Sequence, residues 1–69
     1  MIELIITLED SFEYLTQLAQ ENIDKAKDAI VIYGDRKKYA HYKNKAGNYL
    51  IQAERVHQKL EEVTVLNLN

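Results

Sequence analysis

This 69-residue chain has no cysteine, no proline, no tryptophan and only two glycines. Without cysteine there is no disulfide framework, no thiolate metal site and no thiol nucleophile. Without proline, and with so little glycine, nothing interrupts long regular elements, and no glycine-rich phosphate loop can form. Ser11, Thr16 and Thr64 have no base and orienting partner at plausible positions, so nucleophilic catalysis finds no support. No stretch approaches the roughly 20 apolar residues of a membrane span. The apolar start, Met1 to Leu8, is broken by Glu3 and has no basic segment before it, unlike a signal peptide. The expectation is a non-enzymatic cytoplasmic protein with no cofactor, no metal and no membrane partner.

What the chain does contain is 46% apolar residues at a net charge of −2, a balance that argues for folding and against disorder. Its richness in Ile, Lys, Asn and Tyr suits an A/T-rich bacterial, phage or mobile-element genome. Residues 1–69 make one small domain. A chain this short buries only about 60% of the surface its unfolded form exposes, so oligomerisation is the expected source of further stability.

Apolar residues in the second half recur every three or four positions: Tyr39, Tyr42, Ala46, Tyr49, Ala53, Val56, Leu60 and Val63. That is a heptad seam, the period that holds one face of a helix against a partner helix. A less regular seam runs through Leu8, Phe12, Leu15, Ala19, Asn22, Ala26, Ala29 and Tyr33. Between them, Gly34 can take the positive φ of a helix stop and Asp35 can cap a new helix. Helix 1 is expected over about Leu8–Tyr33 and helix 2 over about Arg36–Glu62. Glu21 and Lys25 are spaced for an i,i+4 ion pair.

So short a link makes the helices antiparallel. Ala29 then faces Tyr39, Ala26 faces Tyr42, Ala19 faces Tyr49 and Leu15 faces Ala53, small against large. Phe12 meets Val56, and Leu8 meets Leu60 at the open end. Asn22 is the polar member of the seam, a residue type that can fix register or oligomeric state; the alternative is a slight rotation that buries Ile23 instead.

The ends read differently. Residues 2–6 and 63–68 are β-branched and apolar, and Thr7 with Asp10 resembles a capping box. The expected fold is therefore α+β, mainly α: a β-α-α-β helical hairpin whose terminal strands pair, Leu4 near Val65, at the open end of a dimeric bundle. Gly47-Asn48 inside helix 2 costs roughly 1 kcal/mol, and Arg36, Lys37 and Lys38 oppose the helix dipole. The alternative is a ferredoxin-like β-α-β-β-α-β fold, in which Ile30–Tyr33 and Lys38–Tyr42 form a hairpin.

Three groups of residues are candidates for function. Tyr14, Leu18, Ile23, Ile30, Ile32, Leu50 and Ile51 lie outside both seams, too many large apolar groups to leave in water. They mark an interface with a second copy, most simply a dimer, or with another protein. Arg36, Lys37, Lys38, Lys43 and Lys45 interleave with Tyr39, His41 and Tyr42, the mixture used for phosphate contact and base stacking. Residues 24–45 hold seven Lys or Arg against three Asp, and the rest of the chain two against eight acidic residues. Glu54-x-x-His57, with Glu13 opposite, has the spacing of a di-metal carboxylate site, but two hydrophilic helix positions explain it as well.

Lys45-Ala46-x-x-Tyr49-Leu50-x-x-Ala53-Glu54, with Leu60 beyond, resembles the third helix of microtubule-interacting-and-trafficking domains. Those domains bind partner helices in a groove. The likeness is confined to Lys45–Leu60 and carries over no residue roles. The leading expectation is a helical-hairpin interaction module acting as regulator, inhibitor or adaptor. The alternative is a nucleic-acid-binding accessory protein using the basic stretch.

Overall fold

In a computed structural model that describes residues 2–68, with side chains as far as residue 65, the chain forms two helices, α1 (Ile2–Val31) and α2 (Arg36–Leu68). They pack antiparallel along their length into a hairpin measuring 52 × 14 × 11 Å. With only two helices, packed side by side, the molecule is a single layer of two rods.

The turn follows from three residues. Gly34 sits at φ 61°, where a Cβ is penalised. The backbone N–H of Asp35 reaches back to the Ala29 carbonyl at 2.8 Å, occupying an acceptor near the end of α1. Asp35 then caps α2: its carbonyl accepts the Tyr39 N–H at 3.0 Å, and its carboxylate accepts the Lys38 N–H at 3.0 Å.

Both terminal strands are absent: no strand occurs among the described residues, and the β-α-α-β expectation is overturned. The seam period explains why. Ile5 continues the α1 seam one turn before Leu8 and is half-buried, and Val63 in the opposite segment is buried. Helical packing thus reaches both ends, whereas a lone two-stranded ribbon is marginal in water. β-Propensity is a preference for a pleated, packed surface, and no sheet is present to supply one. Thr7 is no N-cap; inside α1 its hydroxyl donates to the Glu3 carbonyl at 2.9 Å.

The ferredoxin-like alternative fails as well. Residues 38–42 lie inside α2, residues 30 and 31 end α1, and Gly47 is a helical residue without positive φ.

The two seams meet as the heptad spacing predicts. All eight residues of the α2 seam are buried or half-buried, and so are seven of the eight in α1. The exception, Tyr33, stands in the turn beyond α1 and is exposed. Between the helices, Ala26 lies with Tyr39 and Lys43, Ala29 with Lys38 and Tyr42, and the Phe12 ring is 5.5 Å from that of His57. Each contact falls within one turn of the expected partner.

The core is made of small side chains: Ala19, Ala26, Ala29, Ala46 and Ala53, with Val63. Small residues let the helices approach closely, but each removes little apolar surface from water.

Candidate functional site

The hairpin has two long flanks, set by which residues lie to either side of the Ala seam. Seven residues make two helical turns, so positions seven apart share a face. On the first flank α2 presents Arg36, Lys43, Leu50 and His57, a row at intervals of seven. Alongside it α1 presents Thr16, Ile23 and Ile30. The intervening groove brings Leu50, Glu54 and His57 against Phe12 and Thr16. Closer to the turn it brings Lys43 and Tyr39 against Ile23 and Lys27. On the second flank α1 presents Tyr14, Leu18 and Lys25, and α2 presents Lys38, Tyr42 and Tyr49. The Lys25 ammonium lies 5.8 Å from the centre of the Tyr42 ring.

The seven candidate interface residues are therefore not one patch. Ile23, Ile30 and Leu50 lie on the first flank, and Tyr14 and Leu18 on the second. Ile51 follows Leu50 around the outer side of α2, and Ile32 is in the turn. Tyr14, Ile32, Leu50 and Ile51 are exposed, whereas Leu18, Ile23 and Ile30 are half-buried by the hairpin itself. Further exposed apolar side chains lie in the segments read from the sequence as strands: Ile2, Leu4, Ile6 and Val65. Reading those segments as strands hid them, because it assigned their side chains to a ribbon instead of a helix surface.

The solvent-accessible surface is 5440 Å². A compact folded monomer of 8.1 kDa exposes roughly 4500 Å². The difference, about 900 Å², is close to the ~800 Å² that each partner contributes to a standard protein–protein interface. The radius of gyration, 15.7 Å, likewise exceeds the roughly 11 Å of a globular chain of this length.

The basic candidates are all exposed but encircle α2. Arg36 and Lys43 are on the first flank, and Lys38 and Lys45, also seven apart, are on the second. Lys37 points away from α1, since consecutive residues are roughly 100° apart around a helix. Lys43 is held 5.6 Å from the centre of the Tyr39 ring. The half-buried Tyr39 and Tyr42 belong to the helix seam.

The Glu-x-x-His pattern does not gather ligands. His57 Nε2 lies 2.9 Å from Glu61 Oε1, and its ring stacks at a tilt on Phe12. Among the described residues no three His, Asp or Glu side chains converge on a metal-sized site. The expected Glu21–Lys25 pair is also replaced: Glu21 accepts from Gln17 Nε2 at 3.3 Å and Lys25 turns to Tyr42. Asn22 is buried, not Ile23, and its amide donates to the Leu18 carbonyl at 2.8 Å. No helix of the described residues is long and apolar enough to cross a membrane.

Comparison with family models, curated proteins and solved structures finds no match.

Proposed function

We propose that this chain is a non-enzymatic protein-interaction module of the cytoplasm, one that self-associates and acts as a regulator, inhibitor or adaptor by binding another protein. The observation that carries this reading is the surface excess of a hairpin one helix thick, with large apolar side chains exposed on opposite flanks. Burying a few hundred Å² of that surface against a partner supplies the stabilisation that an alanine core cannot. A phage or mobile element suits such a small module.

The test compares the native chain with a Tyr14→Lys/Leu18→Lys variant as bait in extract of the native host. A protein retained by the native chain and lost with the variant, then rebinding from purified components in calorimetry, is the expected result. Identical retention by both baits overturns the assignment of the second flank to a protein partner.

The nucleic-acid reading has less support. Cations distributed around a rod, in a chain of net charge −2, do not form the continuous basic face that tracks a phosphate backbone.

A further inference from the structure

Nothing in the geometry of the hairpin requires a glycine at position 47. It lies mid-helix at ordinary φ, and a Cβ added there would meet nothing within 4 Å. Alanine would be the better helix former at that position. Glycine leaves a shallow notch in the first flank, beside the row of Arg36, Lys43, Leu50 and His57. The neighbouring row on the same flank, again at intervals of seven, is Ala40, Gly47, Glu54 and Glu61. One row runs from basic at the turn to apolar at mid-helix. Its neighbour runs from small at the turn to acidic toward the open end.

We propose that this flank of α2 docks on the same flank of a second copy running antiparallel, with Leu50 of each chain seated over Gly47 of the other. The register follows from the spacing. With the two-fold axis between residues 48 and 49, Arg36 meets Glu61 of the other chain, Lys43 meets Glu54, Leu50 meets Gly47, and His57 meets Ala40. Every large side chain faces a small one and every cation faces an anion, on both halves of the interface at once. A two-fold interface requires this self-complementarity.

Three observations support the second copy as occupant. Charge is complementary: the turn end is basic and the open end acidic, so only the antiparallel arrangement brings opposite charges together. Among the described residues the intrachain ion pairs are His57–Glu61 and Lys59–Glu62, so Arg36, Lys43 and Glu54 form none within the chain. Arg36 stands at the positive end of α2, where a cation is unfavourable, and the other chain's Glu61 offsets it. The rod as a whole also exposes enough surface beyond that of a compact monomer to give up one partner's share of a standard interface.

This dimer rests on the interaction-module reading and names one of its partners; the second flank stays open for a different protein. Sedimentation equilibrium of the full chain at micromolar concentration tests it. The native chain is expected at twice the chain mass. Arg36→Glu/Lys43→Glu and Glu54→Lys/Glu61→Lys each turn all four cross-chain pairs repulsive, and each should raise the dissociation constant at least about tenfold. Mixed in equal amounts, the two variants make every pair attractive again, and a heterodimer of near-native affinity is expected. Gly47→Gln should lose the dimer while helicity measured on diluted, monomeric chain holds or rises.

A native chain that stays at single-chain mass overturns the dimer, as does a mixture that forms no heterodimer or a Gly47→Gln variant that dimerises normally. Each of these leaves capture through Tyr14 and Leu18 a separate result.

Discussion

Asn22 is buried among the alanines of the α1 seam, yet its amide bonds only to the carbonyl of Leu18, one turn back in its own helix. It reaches nothing on α2, so it does not fix the pairing of the two helices within the hairpin. A back-bonded side chain of this kind slightly weakens a helix. Asn22→Ala is expected to stabilise the hairpin by about 0.5–1 kcal/mol, a rise of about 4–8 °C in Tm per kcal/mol for a chain of this size. A lower Tm would show that the amide bridges to something beyond its own helix. Ala19 and Ala26 behave oppositely. They are almost fully buried in the seam between the helices, and enlarging either to Leu overpacks the seam, costing about 1–3 kcal/mol. Gln17→Leu, at an exposed position, is the control and should change stability little. Denaturant midpoints of the three variants separate these outcomes.

At the scale of the element, the turn and the register were legible in the sequence, and the helix ends were not. Gly34, Asp35 and the small-to-large alternation from Ala19 to Ala53 are local signals with one physical reading each. The ends carry two signals that disagree. Residues 2–6 and 63–68 are strand-like in composition, but Ile5, Leu8, Leu60 and Val63 keep helical spacing, and packing follows spacing. The exposed apolar residues were identifiable by type. Their division between flanks was not, because it depends on how the helices are rotated about the seam. Gly47 poses the reverse case, a residue that disfavours a helix yet lies inside one. Gly47→Ala should stabilise the monomeric hairpin by up to ~1 kcal/mol, since its Cβ meets open space. Thermal unfolding monitored by circular dichroism in dilute solution, below the dimer's dissociation constant, reads that gain without any contribution from association.

The whole molecule is a rod whose interior is one seam of small side chains, and every helix position is at most one side chain from solvent. Its basic end does not amount to a polyanion-binding face. The chain should elute from heparin at or below physiological salt, and retention that persists well above physiological salt would revive the nucleic-acid reading. The position of the turn has a kinetic consequence. Pairings nearer it, such as Lys25 with Tyr42, join residues closer in sequence, while Phe12 and His57 come together only across most of the chain. Forming the near contacts first turns each later closure into a short one, because loop entropy depends on the segment still free. The hairpin therefore closes like a zipper from Gly34 outward and opens from the other end. Amide hydrogen exchange should be slowest around residues 22–29 and 39–46 and fastest near residues 2–8 and 60–63. In the antiparallel pair each chain's slow-opening turn lies against the fast-opening end of the other, so the gradient flattens as concentration rises and steepens on dilution.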